Sequence, residues 1–220
     1  MHTPSSLPNP SPTASHISPL ILWLLIQLLT LLAAALQLPL ADHFPRPPER
    51  LAAQEMLVVQ ITLSAMLFPF LLRTATTATL VIAATWPFLQ LAGVLSSTPA
   101  INLFHAACFL TLWLLALAML RYVLRSDKSL LIATAAASAL SLGGAILWYL
   151  RAEFLTNPPD TPWPADSLLG PIPGALSALH GQGASPRTWL PITILALASL
   201  ALAASLRLRR SGSAHLTGKG

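Results

Sequence analysis

Apolar runs of about 20 residues, almost free of charge, recur along this chain of 220 residues. A run of roughly 18 or more apolar residues is long enough to cross the hydrocarbon of a bilayer as a helix. Six such runs are read, at 19–40, 51–72, 75–95, 101–121, 130–151 and 188–206. Inside a bilayer every backbone N–H and C=O needs an internal partner, which leaves helices and closed barrels. A barrel would show segments of roughly 10 residues with alternating polarity, and the sequence has none. Ala and Leu dominate instead, and both favour helix. The expected fold class is all-α, a polytopic integral membrane helical bundle with about six transmembrane helices. Only 9% of residues are charged, against roughly 25% in soluble domains. Such a chain lacks the polar surface that water demands.

The runs divide the chain into a tail, a bundle and a second tail. Residues 1–18 are rich in Ser, Pro and Thr and carry no Lys, Arg, Asp or Glu. They read as a disordered N-terminal tail, because little apolar area is available to offset ordering entropy. Residues 19–206 form the transmembrane domain, and 207–220 a basic cytoplasmic tail. The apolar stretch from Pro19 to Leu40 exceeds a signal-peptide core, and no basic residue precedes it. It reads as a retained first helix. Pro45, Pro47 and Pro48 interrupt the first connection. Arg73 and Thr74 make a tight helical hairpin, and Pro99 marks the third connection. The long loop, 152–187, holds Pro and Gly at a density that excludes long helices, with a short interfacial helix expected near 174–180.

Charge fixes an expected orientation. Six spans with the N-terminus inside place Arg73, Arg121, Arg125, Lys128, Arg207, Arg209, Arg210 and Lys219 on the cytoplasmic side. Arg46, Arg50, Arg151 and Arg187 fall on the other. Lys and Arg near span ends set orientation, so both termini read as cytoplasmic, in a bacterial-type inner membrane. The net charge of +5 is then a topology signal. A nucleic-acid footprint needs a basic stripe with exposed aromatics, and there is none. The expected partners are the lipid bilayer and other membrane-protein subunits.

The fifth run is dense in small residues. Ala133, Ala137, Ser141 and Ala145 form one row at helical spacing, and Ala135, Ala139 and Gly143 another. In lipid, small residues let helix backbones approach closely. Two such faces point to a helix at the centre of the bundle, or to one face kept for a partner. The first reading is the simpler.

Ionisable and polar groups within spans are functional candidates, because they are costly there. Glu55 lies just over one turn inside the second run, with Gln60 beyond it and Met56, Gln60 and Ser64 on one face. It fits either a cation- or proton-binding carboxylate or a solvated interfacial acid. His105 lies in the fourth run, on a weakly polar face with Asn102, Cys108 and Thr111. Imidazole titrates near neutral pH and ligates metals and haem, so His105 fits a ligand or a polar group satisfied by a neighbouring helix. Glu55 and His105 should share a depth, and contact between their helices would let them pair. Trp86-Pro87 marks a kink in the third run, of the kind that shapes cavities in transporters. No cofactor is expected. A haem or metal at His105 would need a second ligand such as His43 or His180.

Enzyme signatures such as HExxH, a nucleophile elbow, a P-loop or GxGxxG are missing. The leading expectation is a non-catalytic, permease-like or accessory subunit of a membrane complex. The alternatives are a small ion or solute transporter using Glu55 and His105, and a redox or haem protein centred on His105.

Overall fold

The computed structural model describes residues 14–37, 51–124, 126–154, 170–181, 186, 189–190, 192–201 and 205. The described residues are helical apart from short turns. In chain order the helices are α1 (Ala14–Gln37), α2 (Leu51–Leu71), α3 (Ala75–Leu95), α4 (Ala100–Val123), α5 (Asp127–Phe154), α6 (Pro171–Leu179) and α7 (Ile192–Ala201). Four stretches are long and apolar enough to cross a membrane, namely Pro19–Leu36, Ala52–Leu71, Ala75–Leu95 and Ala100–Val123. The protein is thus an all-helical, multi-pass membrane protein that meets lipid along these helices. Most of the expected tails and much of the long loop lie outside the described residues, except that α1 already begins at Ala14. Pro19 sits in its second turn, where it leaves only the Ser15 carbonyl without its usual partner.

α1 shows how a membrane helix divides its surface. Trp23, Gln27 and Ala34 are buried on one stripe, while Leu25, Leu28 and Leu32 are about half exposed. The outward leucines would be a liability in water but suit hydrocarbon.

Two connections are fixed by local chemistry. Between α2 and α3, Thr74 caps the new helix: its hydroxyl accepts from Thr77 N at 3.1 Å, and Thr74 N donates to Thr77 Oγ1 at 3.1 Å. That reciprocal pairing satisfies two otherwise orphaned donors and builds the tight hairpin read at Arg73 and Thr74. Between α3 and α4, Thr98 N donates back to Gly93 O at 3.0 Å and Ser97 N to Val94 O at 3.3 Å. This Schellman closure needs a left-handed residue after the helix, and Ser97 supplies it at φ 51°. Gly93 is needed beside it, because a Cβ there would strike the Leu103 side chain of α4.

α2 is the hub. It packs against α1, α3, α4, α5 and α6. The expectation that the small-residue fifth run is the central helix is therefore corrected. Among helices α1 to α6, α5 packs only against α2 and α6. Its row Ala133, Ala137 and Ser141 turns inward, Ala137 and Ser141 being buried. Ala135 and Ala139 of the second row are exposed, and a Cβ on Gly143 would meet open space. The physical reason is that small side chains permit close approach on any face they occupy, without requiring a neighbour on both.

α6 is the short helix expected near 174–180, begun earlier by Pro171 at its first turn. It does not lie on the surface. Ile172, Ala175, Ala178 and Leu179 are buried, and it packs on α2, α4 and α5. Its entry is steric: a Cβ on Gly170 would come within 2.5 Å of Leu140 O and 3.3 Å of Gly144 Cα.

Candidate functional site

Antiparallel α1 and α2 place Leu29, Thr30 and Ala33 opposite Gln54, Glu55, Val58 and Val59, with Leu176 of α6 closing the top. The result is an open groove of about 600 Å³, within the roughly 300–1,000 Å³ typical of small-molecule sites. Its walls are mainly aliphatic, and its polar groups are mostly engaged. The Thr30 hydroxyl donates to Ile26 O at 2.9 Å. The Gln54 amide nitrogen lies 2.9 Å from His180 Nε2. Glu55, half-buried, makes no hydrogen bond or ion pair among the described residues.

His180 ends α6 and fastens it to α2. Its Nδ1 lies 2.7 Å from Leu176 O. A carbonyl only accepts, so Nδ1 carries the proton, and the neutral ring's Nε2 accepts from Gln54. Asn102, Thr98 and Pro99 surround the same corner, enclosing a void of about 10 Å³. This sets the first turns of α2 and α4 beside the last turn of α6.

The deeper polar groups tie helices together. Gln60, fully buried, donates through Nε2 to Gln27 Oε1 of α1 at 2.6 Å and reaches Thr85 O of α3 at 3.4 Å. One turn further, Ser64 Oγ accepts from Trp113 Nε1 of α4 at 3.1 Å. Near the other end Arg121 of α4 donates from Nε to Pro69 O at 3.1 Å and from Nη1 to Leu124 O at 3.1 Å. It thereby satisfies a carbonyl in the last turn of α2.

Each sequence candidate now has a place. Glu55 lines the groove, while Gln60 sits behind it on the buried Met56–Gln60–Ser64 row. Trp86 lies between α3 and α4: its Nε1 donates to Thr111 Oγ1 at 3.0 Å, and its ring meets Phe104 edge-on at 6.1 Å. Pro87 is exposed on α3, which continues through it to Leu95. His105 is not among the residues lining the groove; its ring lies 6.2 Å from that of Trp189, and its buried Nδ1 has no partner among the described residues. Glu55 and His105 are therefore not brought together. His43 lies outside the described residues, and His180 is held by Gln54 and Leu176. Among the described residues no group of three or more His, Cys, Asp or Glu side chains is placed to hold a metal.

Sequence reading missed Gln27 and Trp113, and it gave His180 a different role, as a possible metal or haem ligand. Gln27 carried a usable signal: it is an amide inside an uncharged run, where an unpaired polar group is expensive. Arg121 was read only as a topology marker.

Compared with known proteins, the chain matches no family model, no curated protein and no solved structure.

Proposed function

We propose that the protein is a non-catalytic, permease-like or accessory subunit of a complex in a bacterial-type cytoplasmic membrane. It crosses six times, with both termini in the cytoplasm. α5 supplies the fifth crossing, its 28 residues being about 42 Å long at 1.5 Å per residue. The sixth is built around α7 within the apolar run 188–206. The basic residues at the Arg73, Arg121 and Lys128 end support that orientation.

One observation carries the subunit reading. α5 presents a row of small residues, Ala135, Ala139 and Gly143, to the outside, while an equivalent row already packs inward. Between helices in lipid, close backbone approach is a main source of affinity, and this row is the surface that provides it. The inward polar groups support the same reading, because Gln27, Gln60, Ser64 and Arg121 are engaged in joining helices.

The test is gentle detergent purification of the tagged chain, with mass spectrometry of what accompanies it. A stoichiometric membrane partner is expected, and Ala139→Phe should release it without lowering the thermal midpoint of the chain. A monodisperse chain without a partner, or a partner indifferent to Ala139→Phe, would overturn the proposal.

A further inference from the structure

The groove between α1 and α2 has a feature that the subunit reading does not use. Glu55 is the one polar lining group with no partner among the described residues, since Thr30 and Gln54 are engaged elsewhere. The remaining walls, Leu29, Ala33, Val58, Val59 and Leu176, are aliphatic. One anion at the head of an aliphatic trough recognises an amphiphile with one cationic head and an apolar tail.

Position narrows the class. Both walls belong to helices long and apolar enough to span a bilayer, and the lining residues Leu29 and Ala33 are exposed on α1. Its mouth therefore faces acyl chains. Glu55 stands just over one turn from the start of α2, about 6 Å along the axis at 1.5 Å per residue, which is headgroup depth. A primary ammonium donates three hydrogen bonds and pairs with a carboxylate, whereas a quaternary ammonium donates none. We propose that this groove is a binding site for one membrane phospholipid with a primary ammonium headgroup, its ammonium on Glu55 and one acyl chain along Val58, Val59, Leu29 and Ala33.

The experiment reconstitutes the full chain in nanodiscs with equal parts of phosphatidylethanolamine, phosphatidylcholine and phosphatidylglycerol of identical acyl chains. The complex is released into mild detergent, and retained lipid is counted by native mass spectrometry. One phosphatidylethanolamine per chain is expected, about tenfold over either competitor, the scale of one charge-assisted hydrogen bond. Glu55→Gln should bring the three lipids close to parity, Glu55→Asp should keep the preference, and Val59→Trp should abolish retention by filling the groove. Thermal midpoints report whether each variant folds. Should Glu55→Gln not fold, stepwise N-methylation of the lipid tests the same contact in the unaltered chain, and affinity should fall with each methyl. Parity in the unaltered chain, an unchanged preference in folded Glu55→Gln, or full retention in Val59→Trp would overturn the proposal. So would a dimer that dissociates in Glu55→Gln, which would make the groove an interface between copies. None of these outcomes bears on the α5 face.

Discussion

Replacing Gln60 by Met should destabilise the bundle by about 1–3 kcal/mol, and replacing Gln27 as well should recover most of that loss. Both side chains are fully buried, at a depth where water does not compete. Their amides share one strong hydrogen bond, Gln60 Nε2 to Gln27 Oε1 at 2.6 Å, while Gln27 Nε2 and Gln60 Oε1 have no partner. Between membrane helices such a bond contributes about 0.6 kcal/mol on average and up to about 1.7 kcal/mol. Met has nearly the shape of Gln and fills irregular gaps, so Gln60→Met leaves little cavity. What it leaves is the whole Gln27 amide buried without a partner, and that desolvation penalty dominates. The pair Gln27→Met/Gln60→Met removes both amides, so its stability should lie within about 1 kcal/mol of the unaltered chain. The assay is a double-mutant cycle on reversible unfolding in mixed micelles. At this chain length about 1 kcal/mol corresponds to roughly 2–4 °C in Tm. The reasoning is refuted if the double variant is as unstable as the sum of the singles, because independent sites add.

Four further perturbations test the packing. Gly170→Ala should lower stability by about 1–3 kcal/mol, because its Cβ meets the Leu140 carbonyl and Gly144 backbone; Gly143→Ala, which meets nothing, should raise helix stability by about 0.5–1 kcal/mol, both read by thermal unfolding. Arg121→Met should lose about 1.5–3 kcal/mol as two charge-assisted hydrogen bonds disappear, and a Tm equal to that of the unaltered chain would show that the guanidinium is idle. Ser97→Gly should stabilise by about 0.5–1 kcal/mol, since Ser97 is held at φ 51° where a Cβ is strained, and a decrease in Tm would argue against the Schellman closure.

Helix existence was readable because hydrophobicity and length decide it. The ends of α2, α3 and α4 fall within about two residues of the expected runs, since Pro99, Thr74 and the charged residues after Val123 punctuate them. Which helix sits at the centre was not readable. α2 and α5 both carry small or polar inward rows, and composition does not say how many neighbours a row will meet. The groove was half readable. Glu55 stood out as a carboxylate in a span, but its opposite wall comes from α1, more than 20 residues earlier, and from α6, more than 100 later. His180 shows the same limit: its partner Gln54 is 126 residues away, and no local pattern encodes that distance.

The polar ties are unevenly distributed around the hub. In lipid there is little hydrophobic force between helices, so directional bonds and close packing set their order. α1, α3, α4 and α6 are each joined to α2 by a side-chain hydrogen bond, through Gln27, Thr85 O, Trp113 with Arg121, and His180 respectively. Among the described residues α5 has none to α2. Its Thr134 and Ser141 hydroxyls turn back on Leu130 O and Ala137 O of its own helix. Along Ala133, Ala137 and Ser141 it is held by surface fit. A helix seated that way has no orientation fixed by a buried donor or acceptor, and its outward row of Ala135, Ala139 and Gly143 offers a neighbour the same kind of seat. The division of labour follows from this. α2 and its hydrogen-bonded neighbours define the fold, and on the proposed subunit role α5 is the helix whose outward row would meet a partner.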